Sequence, residues 1–257
     1  MVNFLEKLSS NFARRVGYSI LDIFYPPHCY LCGKGLSTHR YICESCLDSF
    51  DQITDPVCEK CGKPVLNAGG VCAECAKGDR EFFLARSFGL YKPGRGMAEA
   101  ISGFKYEGEK ALGKDLAKLF DRGKTGYLLD EVDELTFVPL SRDKRKDRKF
   151  NQAELLARVV SRENDIPLFR TLEKTENTRP QAELSREERL NNVQGSFTWE
   201  ETVDCRSVLL IDDVFTTGST VDECSKVLKE AGAERVYVAT LARSYPESRD
   251  SQDFDRG

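Results

Sequence analysis

Val208-Leu209-Leu210-Ile211-Asp212-Asp213-Val214-Phe215-Thr216-Thr217-Gly218-Ser219-Thr220 joins an apolar run to a pair of acids, and the acids to a loop of hydroxyls and glycine. The apolar run has no polar alternation, which is the pattern of a strand covered on both faces in a parallel sheet. Such a strand delivers Asp212 and Asp213 at its C-terminal edge, where open α/β sheets bind ligands. The loop opens a helix over Ser219 to Ala231. Its backbone N–H groups and the helix N-terminus form an anion site, and Thr216, Thr217, Ser219 and Thr220 add hydroxyl donors around Gly218. The carboxylates cannot face the same phosphate. They are placed to accept hydrogen bonds from ribose hydroxyls and to meet a Mg²⁺–pyrophosphate group. A phosphate cradle beside a diol grip suits a 5-phosphoribosyl group, and the run lacks the G-x-x-x-x-G-K-[ST] pattern of a Walker A loop.

Outward from this segment, Ser87 to Tyr91 and Thr136 to Leu140 read as strands, and Arg235 to Leu241 as a final strand. Met97 to Phe120 is a helical region. Phe150 to Val160 is a helix with Ala153, Leu155, Leu156 and Val159 on its inner side. The order β-α-β-α, a long insertion, then β-α-β predicts a doubly wound α/β sheet.

A second signal precedes the sheet. Eight of the ten cysteines form four C-x-x-C pairs, Cys29/Cys32, Cys43/Cys46, Cys58/Cys61 and Cys72/Cys75, while Cys205 and Cys224 stand alone as packing residues. Cys58 stands 29 positions after Cys29, as do Cys61 after Cys32, Cys72 after Cys43 and Cys75 after Cys46. Gly33-Lys34 repeats as Gly62-Lys63. A C-x-x-C turn sets two thiolates on one side of a knuckle, and two knuckles complete the tetrahedral shell of a structural Zn²⁺. The repeat favours sequential pairing: one site on Cys29, Cys32, Cys43 and Cys46, the other on Cys58, Cys61, Cys72 and Cys75. His28 and His39 lie close by, but full sulfur shells leave them no place as ligands. A disulfide framework would need an oxidising compartment, and residues 1–25 carry neither a continuous apolar block nor a small-residue cleavage site. Their apolar positions instead recur at helical spacing, giving an amphipathic helix docked on its own protein.

Composition bounds the remaining options. At 257 residues, 40% hydrophobic and 31% charged, the chain is an ordinary globular protein with room for one core and a smaller module. No run approaches the ~18 apolar residues of a membrane span. A net charge of −4 argues against bulk-charge binding to nucleic acid, but Arg142 to Lys149 is a dense local basic run.

The 208–220 segment resembles the fingerprint of type I phosphoribosyltransferases. Ile101 to Gly108, Val138-Pro139-Leu140 with the basic run and Phe150 to Ala157, and Asn177-Thr178-Arg179-Pro180-Gln181 leading to Leu184, Arg189, Asn192-Val193 and Gly195-Ser196-Phe197 are similar to the ComF family. These are competence-associated, phosphoribosyltransferase-like proteins with an N-terminal zinc ribbon. The resemblance spans Leu21 to Ala242, and Lys149 departs from it by standing where the family usually has Gly.

The resemblance implies a type I phosphoribosyltransferase fold, a doubly wound parallel sheet with a flexible hood, preceded by a small double zinc ribbon. With the apolar spacing of the first residues and the polar, acidic composition of the last, it divides the chain into an N-terminal helix (1–25), the ribbons (26–78), the transferase-type domain (81–244) and a tail without fixed structure (245–257). It implies phosphoribosyl pyrophosphate with Mg²⁺ as ligand, the ribose 5-phosphate on residues 208–220 and its diol on Asp212 and Asp213. Pro139, Leu140 and Ser141 would face pyrophosphate, with Lys144, Arg145 or Arg148 supplying positive charge. The 171–196 hood would carry Arg179 to the pyrophosphate, with Arg189 and Asn192 bracing it. The implied role is the handling of single-stranded DNA in uptake, with uptake-machinery proteins as partners, in the cytoplasm and peripheral to the inner membrane. Two other roles fit the same motif: an active phosphoribosyltransferase on a nucleobase or amine, and a ligand sensor without turnover.

Overall fold

The computed structural model describes residues 27–36, 40–78, 80–94, 96–106, 110–140, 150–169, 172–174, 197–199, 203 and 205–244. The N-terminal helix, the basic run, His39, Ser141, Arg179 and most of the hood stretch, and the tail lie outside the described residues. The chain divides into two compact units, Met1–Ser49 and Phe50–Gly257, so the second ribbon shares a unit with the sheet and the first does not.

The larger unit is built on four parallel strands, β1 (Leu84–Tyr91), β2 (Glu134–Phe137), β5 (Ser207–Phe215) and β6 (Arg235–Ser244), in the order β1-β6-β5-β2. A short antiparallel pair, β3 (Leu172–Lys174) and β4 (Phe197–Trp199), joins the two ends of the hood stretch. Helices α1 (Gly96–Tyr106) and α2 (Leu112–Ala117) connect β1 to β2, α3 (Gln152–Asn164) follows β2, and α4 (Ser219–Glu230) links β5 to β6.

The winding direction reverses between β2 and β5. From β2 the chain passes through α3 and returns outside β2, where Leu135 N–H donates to Pro167 O (2.8 Å) and Phe169 N–H to Leu135 O (2.9 Å). From β5 it passes through α4 to β6, on the other side. Ligands bind at such a switch point, outside the carboxyl ends of the strands.

Several boundaries differ from the sequence reading. The strand expected over Thr136 to Leu140 spans Glu134–Phe137, and the last bond to β5 is from Val138 N–H to Ile211 O at 3.0 Å. β5 runs to Phe215, so Asp212 and Asp213 lie within the strand, with Asp212 in register opposite Thr240 of β6. On α3, Ala153 and Leu156 are buried as expected, with Gln152, Ala157 and Val160, but Leu155 and Val159 are only half-buried. The helix buries a stripe one step round from the expected one, and Leu155 turns toward Gly113 of α2.

The core joins Val208, Leu210, Val236 and Val238 of the sheet to Val221, Cys224 and Leu228 of α4 and to Cys58, Cys61 and Cys72 of the second ribbon. That ribbon covers the outer edge of β1. Ala85 N–H donates to Lys60 O (2.9 Å), Ile53 N–H to Phe88 O (2.9 Å) and Leu90 N–H to Asp51 O (2.8 Å). An edge that could template foreign strands is thereby occupied. Gly89 is required there, since a Cβ would lie 2.8 Å from Asp51 O.

Candidate functional site

A cleft of about 310 Å³ opens at the β2–β5 switch point. Its floor carries Asp212, Asp213, Thr216 and Thr220, and Val138, Pro139 and Leu140 form one wall. Successive side chains on a strand alternate faces, and Asp213 meets α1, where Lys105 Nζ donates to its Oδ1 at 2.6 Å. Both side chains are largely buried, so this pair is a short charge-assisted hydrogen bond rather than a solvated surface contact. Asp212 Oδ1 accepts the Asp213 backbone N–H at 2.8 Å.

Thr217, Gly218 and Ser219 form the turn between Thr216 and Thr220. Gly218 caps α4 at φ 82°, and a Cβ there would lie 2.5 Å from Phe215 Cζ, so both conformation and space require glycine. Thr217 Oγ1 and Ser219 Oγ are hydrogen bonded at 2.7 Å. Thr217 Oγ1 accepts the Ser219 N–H at 3.4 Å, and of the five turn residues Thr216 and Thr220 line the cleft while Thr217, Gly218 and Ser219 do not.

Asn151 organises the opposite wall. Its Oδ1 caps α3 through Ala153 N–H (3.0 Å), and its Nδ2 donates to Val138 O (3.0 Å), tying the helix start to the end of β2. Gln152 Nε2 donates to Lys105 O at 3.4 Å, and its buried Oε1 has no partner among the described residues. Tyr91, Lys105, Asn151, Gln152, Lys174 and Phe197 also line the cleft. None of these was assigned a role from sequence, although Lys105, Asn151 and Gln152 lie inside the stretches that carried the family resemblance. Lys144, Arg145 and Arg148, like Ser141 and Arg179, fall outside the described residues.

The cysteines group as the repeat requires. Cys29, Cys32, Cys43 and Cys46 form one cluster and Cys58, Cys61, Cys72 and Cys75 the other, each with its sulfurs within 4.8 Å of one another. Cys29–Cys46, Cys32–Cys43 and Cys61–Cys72 sulfur separations are 3.8, 3.7 and 3.7 Å. A tetrahedron with Zn–S bonds of 2.3 Å has edges of about 3.8 Å, so both shells fit structural Zn²⁺. His28 belongs to neither cluster. Burial pushes the Cys29 thiol up, but N–H groups of Cys43, Cys32 and Leu31 outweigh it and bring it down to about 6. At Cys58 burial is likewise outweighed by the N–H groups of Cys61, Cys72 and Lys60, giving about 7. Amide donation to sulfur favours the thiolate that zinc requires.

The double zinc ribbon domain family matches residues 20–76, and the phosphoribosyl transferase domain family matches residues 151–255. Competence protein ComFC of Bacillus subtilis is 29% identical over 214 residues, covering 81% of this chain and 87% of that protein. Competence protein F of Haemophilus influenzae is 29% identical over 231 residues, covering 86% and 99%. DNA utilization protein YhgH of Escherichia coli O6:H1 is 30% identical over 228 residues, covering 85% and 98%. Among the described residues no helix is long and apolar enough to cross a membrane.

Proposed function

Because this chain belongs to the ComF family, double zinc ribbon and phosphoribosyltransferase-type fold together, we propose that it binds phosphoribosyl pyrophosphate at the β2–β5 switch point and handles single-stranded DNA in uptake or use. The observation that carries the ligand is the Asp212-Asp213 pair on the cleft floor beside Thr216 and Thr220 at the start of α4. The α4 N–H groups and the Thr216 and Thr220 hydroxyls take the 5-phosphate. Asp212 and Asp213 accept from the ribose hydroxyls, and Lys105 fixes the Asp213 carboxylate. Pro139, Leu140 and Ser141 face the pyrophosphate, where Lys144, Arg145, Arg148 and Arg179 supply charge. Mg²⁺ arrives with the ligand, held by substrate oxygens and water, and neutralises the pyrophosphate.

The DNA half of the proposal draws on the names of the relatives, which are competence and DNA utilization proteins, and on the Arg142–Lys149 run. The residue groups 1–25, 26–78, 81–244 and 245–257 are its working divisions. Its place is the cytoplasm, peripheral to the inner membrane, beside uptake-machinery proteins. Anisotropy titration of a labelled single strand across salt tests this half. Affinity is expected to fall linearly in log–log form with salt, and replacing Lys144, Arg145 and Arg148 with Ala should reduce the slope. Binding that is absent, or indifferent to salt, contradicts it.

The intact acid pair with its bound Lys105 also supports a second reading, active transfer to a nucleobase or amine. Pyrophosphate leaves C1 through an oxocarbenium-like state, so the protein's part is positioning and charge neutralisation. Pyrophosphate release that needs Mg²⁺ and an acceptor, and vanishes in Asp213→Asn, marks an enzyme. Binding without release across an acceptor panel marks a sensor.

A further inference from the structure

We propose that the second zinc centre sets the shape of the phosphate loop through Arg243, which acts as a positioning residue. Arg243 is 3% exposed near the end of β6. Its Nη1 donates to Cys61 O at 2.8 Å, and its Nη2 to Cys61 Sγ at 3.4 Å. A Zn²⁺ held by four thiolates carries two net negative charges, so the centre supplies the counter-charge that a buried guanidinium requires. The other face of the same guanidinium lies 4.3 Å from the ring centroid of Phe215. That ring is the atom group a Cβ at Gly218 would strike, so it supports the turn from beneath.

A second thread runs from the ribbon's exit to the same loop. Arg80 Nη2 donates to Thr217 O at 3.1 Å, and Asp222 Oδ1 in the first turn of α4 accepts Glu81 N–H at 2.8 Å. Phe82, next along, packs edge-on against Phe215 with centroids 6.1 Å apart. The turn of residues 216–219 is therefore held from two sides by chain anchored at the second Cys₄ site. Cys61 supplies one anchor, and the segment following Cys75 supplies the other. The consequence for ligand affinity rests on the phosphoribosyl reading above; the mechanical link does not.

The test is amide hydrogen exchange on the zinc-loaded full chain, with zinc content measured alongside. Arg243→Met, retaining two zincs, should raise exchange over residues 215–222 about tenfold, within the usual range for coupled sites. Arg243→Lys keeps the charge but not the planar stack, so it should recover only part of the protection. Cys46→Ser should lose one zinc and leave the loop protected. Wild-type loop exchange in a two-zinc Arg243→Met protein overturns the proposal, and so does equal loosening by Cys46→Ser. Should Arg243→Met fail to fold, chelator extraction of zinc from the wild type decides. Exchange over residues 215–222 should rise as the second zinc is extracted, and a loop that stays protected when both zincs are gone overturns the link. Absence of ligand binding to the wild type would sink the phosphoribosyl reading alone, since the exchange comparison uses no ligand.

Discussion

The two ribbons repeat each other bond for bond, yet they are built into different surroundings. In the first, Cys29 N–H donates to Lys34 O and Gly33 N–H to Cys29 O; in the second, Cys58 N–H donates to Lys63 O and Gly62 N–H to Cys58 O. His28 bridges Gly35 as Val57 bridges Pro64. The glycines match in φ, 70° at Gly33 and 71° at Gly62. What differs is the packing. A Cβ on Gly33 meets nothing within 4 Å, whereas one on Gly62 would lie 2.8 Å from Ala85 O of β1. Cys32 is exposed and its counterpart Cys61 is buried. One motif thus forms the same cysteine knot in both copies, and in the second it also covers the edge of a sheet. A local sequence motif specifies the knot and leaves the surroundings to the fold.

The largest effect expected from this contrast is on metal loss. Cys61→Ser should destabilise the Phe50–Gly257 unit by upward of about 4 kcal/mol, because a structural zinc and the sheet edge fail together. Cys32→Ser should remove one zinc and leave the melting of that unit unchanged. Zinc content and thermal denaturation read both, and equal destabilisation by the two variants would break the comparison. Next in size is the glycine pair. Gly33→Ala should cost about 1–2 kcal/mol for its left-handed φ alone, and Gly62→Ala should add about 1–3 kcal/mol from the clash with Ala85 O. Denaturant melts of each variant give the difference directly.

The same contrast separates what the sequence makes legible from what it does not. The sulfur sets, their sequential pairing, the β5 strand and its acid pair are local patterns, readable because each is specified within a few residues or by a fixed repeat. Arg243 is 182 positions from Cys61, and Ile53 finds Phe88 across a sheet edge, so no window of sequence contains either contact. Lys105 was visible as part of a family stretch, but its partner became definite only when β5 ran past Ile211 and alternation turned Asp213 toward α1. The boundary of β2 differs because Val138-Pro139-Leu140 continues the apolar pattern after the pairing with β5 has ended.

Two smaller effects are expected at single side chains. Asn151→Ala touches neither ribbon; loss of the α3 cap should cost about 1 kcal/mol, with both zincs retained. Arg40, whose guanidinium pairs with Glu44 one helical turn on in the first ribbon, should give the least. Arg40→Ala is expected to change stability by no more than about 0.5 kcal/mol, since exposed pairs contribute little.

The cleft between β2 and β5, on the reading proposed above, is a phosphoribosyl pyrophosphate site. Calorimetric titration of the zinc-loaded protein with that ligand and Mg²⁺, alongside the Asp212→Asn/Asp213→Asn variant, tests it most directly. Saturable binding by the wild type that the double substitution abolishes, with zinc content and melting unchanged, is the predicted result. No binding by the wild type, or equal binding by the variant, would contradict it.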